Sequence, residues 1–492
     1  MAEHNLAQLA EAAAGRNGEH ESLWFEGRWY RADELFERAR RVAAGLAEIG
    51  VEAGDRVVVM AANCPEVGIV YNALWRAGAA ITPAIFLLPA AELRHIVVDS
   101  EASVVVASPE FLDTVRAAAE GVASVRAIVS TAELPEGDAA AIVQRADDDL
   151  AALMYTGGTT GRAKGVMLSH ANLWHAGKSG HDAGYVPGVV RSLVALPLSH
   201  AFGLIVTVVA LHSPERLSTT LLRWFDPEAF LRLAQEHEVQ ISAVVPSMLQ
   251  ALLAQPLEEY DLSSLRYVVS GAAPLPREVA EEFARRVPSV ELREGYGLSE
   301  TSAIVSGNQP GRSRLGTVGE PLPGVEVRII DEAGNEVPRG EVGEICCRSA
   351  FVMLGYWRAP ELTAAAIRDG WFHTGDLGSL DGDGYLTIVD RKKDLIIRGG
   401  FNVFPRDVED ALLEHPNVVA AGVVGRPDEM HGEEVVAFVS LQSGSDATPE
   451  ELVAFGKQRI GGYKYPREVR IVPSLPLTPV GKLDRKSLRA ML

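Results

Sequence analysis

The sequence predicts an α/β protein with two α/β lobes and a β-barrel-like subdomain in a large N-terminal domain, followed by a small C-terminal α+β domain. Three observations predict it. Short apolar runs alternate with stretches of helical periodicity from about residue 30 to residue 270, the pattern of parallel buried strands joined by helices. From Gly316 to Asp390 the texture changes to short strands and tight turns such as Asp331-Glu332-Ala333-Gly334-Asn335 and Asp381-Gly382-Asp383-Gly384. At 492 residues the chain exceeds a single core, and a further α+β unit begins after about Asp390. The expected division is therefore 1–390 and 391–492. No Pro/Ser-rich linker and no internal repeat interrupts it.

Each element has its own signal. Leu35, Phe36, Ala39, Val42, Ala43, Leu46 and Ile49 recur at helical spacing, with Asp33 as the expected cap and Gly50 as the expected stop. Arg56–Met60 reads as a strand and Pro65–Ala77 as the next helix. Ala102–Ala107, Ala127–Ser130 and Leu150–Tyr155 are further short strands. The second lobe repeats the pattern, with strands at Leu193–Leu198, Ile241–Val245 and Leu265–Ser270 and a helix at Asp226–His237. Pro405–Leu413 opens a helix with proline and acidic residues in its first turn.

Composition excludes several classes. A net charge of −20 at pH 7 argues against general nucleic-acid binding. Cys64, Cys346 and Cys347 give neither a disulfide framework nor metal spacing and read as reduced, buried thiols of a cytoplasmic protein. Met1–His20 has no secretory apolar core, and Leu193–Leu211 is too interrupted by polar groups for a membrane helix.

The stretch most charged with chemistry is Tyr155–Val166, with three glycines and three threonines in Thr156, Gly157, Gly158, Thr159, Thr160 and Gly161, and Lys164 close behind. Glycines let backbone N–H groups crowd an anion, hydroxyls add donors, and lysine adds a point charge. Read as a loop from a strand to a helix starting near Ser169, it is a phosphate cradle. It is not a P-loop of the Walker type: Ala163 precedes Lys164 and Gly165 follows it, leaving no Ser or Thr for magnesium.

Further motifs follow in order. Leu196–Gly203 holds His200 and Phe202 at the expected end of a strand. Ser270-Gly271-Ala272-Ala273 follows another strand, where ligand crevices of open sheets form. Glu294-Gly295-Tyr296-Gly297-Leu298-Ser299-Glu300-Thr301 joins an aromatic face, a carboxylate and hydroxyls. Asp376, the cluster Asp390–Asp394, the loop Arg398-Gly399-Gly400-Phe401 and Lys482 on a Pro/Gly loop complete the series.

Together these motifs resemble, over roughly residues 20 to 488, the adenylate-forming superfamily: acyl-CoA synthetases, firefly luciferase and the adenylation domains of nonribosomal peptide synthetases. The Gly157-Gly158 form looks most like bacterial fatty acyl-CoA synthetases. The resemblance implies a mobile C-terminal domain and an ATP/AMP site of Thr156, Gly157, Gly158, Thr159, Thr160, Gly161, Lys164, Gly271, Ala272, Ala273, Glu294, Gly295, Tyr296, Gly297, Thr301, Asp376, Arg391 and Lys482. Within it Tyr296 meets adenine, Thr301 the α-phosphate, and Asp376 and Arg391 the ribose. Glu300 and Thr156 hold Mg2+. His200, Phe202, Gly271 and Ala272 border the acyl group, Lys393 is the hinge, and Gly399, Gly400 and Phe401 line the thiol tunnel. Lys482, His200, Thr301 and Glu300 form the catalytic set. Departures are Ser299 for the usual threonine, Leu477 for a basic residue, and the unusual Leu211–Arg216.

The implied function is ATP-dependent activation of a small-molecule carboxylic acid as acyl-AMP, followed by transfer to coenzyme A. Gly158 and the apolar run Leu204–Val209 point to a fatty acid, with an aryl acid as the alternative. The rival acceptor is the phosphopantetheine of an acyl carrier protein, for which Arg459, Lys464, Arg467, Arg470 and Arg485 offer a basic surface. An oxygenase of the luciferase kind and a non-enzymatic binding protein are more distant rivals. A homodimer is implied by analogy alone.

Overall fold

The computed structural model describes residues 3–156, 163–478 and 482–492. The chain divides into two compact units. The first comprises the chain up to Ala272, Glu282–Glu326 and Cys347–Phe372; the second comprises Ala273–Glu281, Val327–Cys346 and His373–Leu492.

The first unit holds two sheets, one for each expected lobe. The seven-stranded sheet runs in the order Gly355–Tyr356, Lys164–Ser169, Leu150–Thr156, Ala80–Pro83, Arg56–Met60, Val104–Ala107 and Ala127–Ser130. Its last five strands are parallel. Helix Pro65–Ala77 packs between sequence neighbours as read, with proline in its first turn and Gly78 in the left-handed region at φ 75°. Trp75 on this helix is fully buried, and its indole N–H donates to the Ala151 carbonyl at 3.1 Å. The nine-stranded sheet is parallel from Glu21–Phe25 through Ser218–Leu221, Arg191–Val194, Ile241–Val244 and Tyr267–Ser270 to Glu291–Tyr296, with antiparallel strands at both ends.

Several boundaries differ from the sequence reading. The first long helix is Ala32–Glu48, capped at Arg31, so Asp33 lies in its first turn and accepts the Glu34 N–H instead of capping. The strand expected at Leu193–Leu198 is Arg191–Val194, and the apolar run beyond it forms helix Ala201–Leu211. That run packs on helix His170–Gly184: a methyl on Gly177 would lie 2.7 Å from Val208, and one on Gly180 3.0 Å from Val209. An unexpected helix, Leu6–Asn17, buries Leu6, Ala7, Ala10, Ala13 and Ala14. Among the described residues no helix is long and apolar enough to cross a membrane. The three cysteines are buried as expected and form no disulfide.

Two further sheets lie mostly in the second unit. One includes Gly343–Arg348, Trp371–Leu380 and Leu386–Arg391, the last two antiparallel. The other orders Phe401–Val403, Ile396–Arg398, Gly432–Leu441 and Val418–Asp428, with Glu468–Ile471 parallel to Gly432–Leu441. Helices Pro405–Leu413 and Pro449–Arg459 bury Val408, Leu412 and Leu452 into a core with Val423, Val435, Ala437 and Val439.

Candidate active site

In the first unit the site grows from the carboxyl ends of two parallel strands, Tyr267–Ser270 and Glu291–Tyr296, which pair Ser270 with Glu294. This is where open α/β sheets present ligand crevices. A methyl on Gly271 would lie 3.3 Å from the Phe202 ring and 3.5 Å from the Gly295 carbonyl, so Phe202, Gly271 and Gly295 meet here. Ala272 takes φ 68°, a left-handed backbone that costs an alanine about 1–2 kcal/mol. Gly297 is required by space: its methyl would fall 2.1 Å from the Ala303 carbonyl oxygen.

His200 does not sit on a strand end. It is the N-cap of helix Ala201–Leu211, and its Nδ1 accepts the Phe202 N–H at 3.3 Å. With Nδ1 accepting, the neutral ring carries its proton on Nε2, which makes Nε2 a donor. The preceding turn is clamped by Asn63, a residue the sequence reading missed. Its amide donates to the carbonyls of Leu196 (2.9 Å) and Leu222 (3.0 Å), and its oxygen accepts the Leu198 N–H at 2.9 Å. The Tyr71 hydroxyl donates to the Leu198 carbonyl at 3.2 Å.

The Gly/Thr stretch joins two antiparallel strands, Leu150–Thr156 and Lys164–Ser169, which pair Thr156 with Lys164. The expected strand-to-helix loop is thus a hairpin, and the helix begins only after its second strand, in a capping box of Ser169 and Asn172. Gly157, Gly158, Thr159, Thr160 and Gly161 lie outside the described residues. The flanks are anchored: Tyr155 donates its hydroxyl to Asp99 at 2.6 Å, and His95 Nε2 lies 2.9 Å from the Ala163 carbonyl. The Lys164 ammonium stands 5.4 Å from the centre of the Tyr356 ring. The Tyr356 hydroxyl donates to Glu300 Oε1 at 2.9 Å. Glu300 and Thr156 offer only oxygen donors, the ligand type magnesium prefers, so both fit that ion.

Thr301 corrects the sequence reading. It is fully buried, and its hydroxyl is held within its own turn, 3.0 Å from both the N–H and the carbonyl oxygen of Leu298. A buried hydroxyl so engaged does not reach a phosphate. Ser299, two residues earlier on the same turn, is partly exposed.

In the second unit, Asp376 and Arg391 face each other across a strand pair, with Arg391 Nε 3.0 Å from an Asp376 carboxylate oxygen. The sequence reading assigned both to a ribose without foreseeing that they pair. Lys393 follows in a short 3-10 turn, Lys392–Asp394, and burial pulls its ammonium below the usual lysine range. Gly399 (φ 58°) and Gly400 (φ 82°) form the tip of the hairpin Ile396–Arg398/Phe401–Val403. Phe401 is exposed beside Tyr463, ring centres 5.0 Å apart. Ala273 belongs to this unit.

Lys482 is tied to Thr478 by two hydrogen bonds. The Thr478 N–H donates to the Lys482 carbonyl at 2.7 Å, and the Lys482 N–H donates to the Thr478 hydroxyl at 3.2 Å. Just beyond, Arg485 grips Glu409 at 2.7 and 2.8 Å, while Glu409 also accepts the Val423 N–H at 2.8 Å. Burial pushes the Glu409 carboxyl up to about 7 against the pull of Arg485.

The basic surface expected from Arg459, Lys464, Arg467, Arg470 and Arg485 is not an unpaired face. Arg459 pairs with Glu414, Lys464 with Asp407, Arg470 with Glu468 and Arg485 with Glu409. Arg467 donates to the carbonyls of Tyr465 and Gly462 and stacks on the Tyr465 ring at 3.3 Å.

Fold and site together define a mixed α/β scaffold with candidate site residues at the carboxyl ends of parallel strands. The chain belongs to the AMP-binding enzyme family, whose model matches residues 10–357, with the family's C-terminal domain matched at 407–482. It is 38% identical over 467 residues to a feruloyl-CoA synthase of Amycolatopsis sp, covering 93% of this chain and 92% of that protein. It is 33% identical to a long-chain-fatty-acid–CoA ligase of Bacillus subtilis (strain 168), covering 98% of this chain and 94% of the other. The solved structure of ATP-bound MatB from Rhodopseudomonas palustris matches with a TM-score of 0.91 at 33% identity, covering 99% of this chain and 98% of that one.

Proposed function

We propose that the chain is an acid–thiol ligase. It joins a carboxylic acid to ATP, releasing pyrophosphate and forming an acyl-AMP, and then passes the acyl group to the thiol of coenzyme A. The observation that carries this reading is the meeting of Phe202, Gly271 and Gly295 at the strand ends, with His200 capping the helix that carries Phe202. A side-chain-free strip next to an aromatic wall and a neutral donor suits a flat adenylate and an adjoining carboxylate.

In the first step a carboxylate oxygen attacks the α-phosphorus and the bond to pyrophosphate breaks. His200 orients the carboxylate, and Lys482 meets the charge that builds on the α-phosphate. Ser299 takes the hydroxyl role first read for Thr301. The backbone and hydroxyls of Gly157, Gly158, Thr159, Thr160 and Gly161, with Lys164, receive the phosphates. Tyr296 stacks on adenine between Gly295 and Gly297, with Glu294 and Ala272 at its border, and Asp376 with Arg391 receives the ribose. Glu300 and Thr156 would hold magnesium, which would neutralise part of the triphosphate charge. In the second step the thiol sulfur attacks the acyl carbon, the bond to AMP breaks, and the thioester forms. Gly399, Gly400 and Phe401 serve the thiol, and Lys393 serves as the hinge of domain alternation.

For the acid we favour an aryl substrate. The run Leu204–Val209, first read as support for a fatty chain, is accounted for by helix packing. The Phe202 ring against Gly271 suits a flat acid, and the feruloyl-CoA synthase relative supports the same class. The fatty-acid reading keeps the support of the Bacillus subtilis relative. For the acceptor, the engaged basic residues favour coenzyme A over a folded acidic carrier protein. The test is pyrophosphate release across aryl and alkyl carboxylates, each with and without coenzyme A. Hydroxycinnamate-like acids turning over to their CoA thioesters are expected. Turnover confined to alkyl acids would replace the acid class, and accumulation of acyl-AMP indifferent to coenzyme A would overturn the acceptor.

A further inference from the structure

We propose that Tyr356 is a positioning residue for the adenylation step, tying the carboxylate of Glu300 to the ammonium end of the phosphate hairpin at Lys164. This rests on the adenylating function proposed above. Neither the Gly/Thr stretch nor the Glu294–Thr301 motif contains Tyr356, yet its side chain touches the functional residue of each. Its hydroxyl donates to Glu300 Oε1 at 2.9 Å, and its ring lies 5.4 Å from the Lys164 ammonium.

The backbone around it is stitched to both partners. The Met353 N–H donates to the Glu300 carbonyl at 2.8 Å. The Leu354 and Trp357 N–H groups donate to the carbonyls of Met167 (2.9 Å) and Gly165 (2.7 Å), on the strand that begins with Lys164. Tyr356 pairs antiparallel with Val166, its own N–H donates to the Thr363 hydroxyl at 2.8 Å, and the Trp357 indole donates to the Asp99 carbonyl at 2.9 Å. A strap of five residues, 353–357, therefore joins the turn that carries Glu300 to the hairpin that carries Lys164.

The chemistry of this arrangement is specific. A carboxylate on a flexible glutamate samples several rotamers, and binding a cation through it loses that freedom. A phenol fixed to one oxygen selects one orientation in advance and leaves the other oxygen for a hard cation. The ring face also stabilises the Lys164 ammonium through its quadrupole. The strap's other contacts are main-chain bonds or belong to Trp357, so removing the hydroxyl alone leaves them intact.

The test uses Tyr356→Phe in the full-length protein. The probe is Mn2+, titrated by electron paramagnetic resonance in the presence of a non-hydrolysable ATP analogue. Loss of one hydrogen bond to a charged group is expected to weaken Mn2+ binding about tenfold. The Mg2+ concentration for half-maximal pyrophosphate release is expected to rise in step, while thioester formation from supplied acyl-AMP changes less than about twofold and the melting temperature stays near wild type. Glu300→Gln keeps the phenol and reports on the same contact from the other side. Combined with it, Tyr356→Phe is expected to add no further loss, the signature of two residues acting as one. Unchanged Mn2+ binding in Tyr356→Phe, or losses that simply multiply in the double variant, would overturn the inference. If wild type releases pyrophosphate with no acid, the functional reading itself falls, and this is seen before any variant is made.

Discussion

The two units hold their proposed site residues by different forces. In the first, the fixing groups carry no charge themselves: the Asn63 amide clamps the turn before His200, the Tyr356 phenol holds Glu300, and close backbone approach leaves room only for glycine at 297. In the second, charge does the fixing. Arg391 pairs with Asp376, Arg485 with Glu409, Arg489 with Asp394 and Lys464 with Asp407. The first kind of frame responds little to salt or to the charge of its own members. The second depends on both, because a buried carboxylate survives only with its partner. The segment proposed to present a lysine in one step and a thiol path in the next is thus built on contacts that can be tuned electrostatically.

The sharpest way to break this contrast is to remove one charge. Arg485→Leu leaves the Glu409 carboxyl buried without its counter-ion and is expected to cost about 3 kcal/mol. Urea unfolding of this variant checks it, and adding Glu409→Gln should restore part of the loss. In the first unit, Asn63→Ala leaves the Leu198 N–H and two carbonyls without their partner and is expected to cost about 2 kcal/mol. Its effect should be the same at low and high salt, and the KM for the acid should rise because the turn before His200 loosens.

The units should also respond oppositely to pH. His170 is fully buried, with Nδ1 accepting the Leu6 N–H at 3.2 Å, and burial pulls its pKa down to about 4. The folded form keeps the ring neutral while the unfolded chain protonates near pH 6.5, so this stability is present above that value and lost as pH falls toward 4. Glu409, raised to about 7, has the opposite sign: its contribution is complete below the unfolded value near 4.3 and lost as pH rises through 7. Hydrogen exchange, corrected for intrinsic rates, should show helix Leu6–Asn17 less protected at pH 5 than at pH 8, and helix Pro405–Leu413 the reverse. The smallest effect concerns backbone strain. Ala272→Gly relieves the φ of 68° and is expected to stabilise by about 1 kcal/mol, read as a rise in melting temperature.

How much was legible in the sequence depended on how local the signal was. Helices Pro65–Ala77 and Pro405–Leu413 were read to the residue, because proline marks each first turn and the apolar spacing is strong. Helix Leu6–Asn17 was missed because its buried stripe is mostly alanine, which carries little hydrophobic contrast. The strand at Leu193–Leu198 was drawn too long because a continuous apolar run does not tell strand from helix. Phe202 and Gly271 were both read as bordering the acyl group, but their meeting with the Gly295 carbonyl was not foreseen. Asn63 and Tyr356 were invisible, since each gains its role from partners 135 and 56 residues away. Thr301 was misassigned because a motif names neighbouring hydroxyls without saying which one the turn faces inward.

The central claim is that Lys482 and the strand-end site act in one adenylation reaction. Its most direct test is exchange of labelled pyrophosphate into ATP, driven by a hydroxycinnamate-like acid, in wild type and Lys482→Ala. The expected result is acid-dependent exchange in wild type that falls about a hundredfold or more in the variant, with thioester formation from supplied acyl-AMP retained. Exchange of equal rate in both proteins, or none in wild type with any carboxylate, would contradict the account.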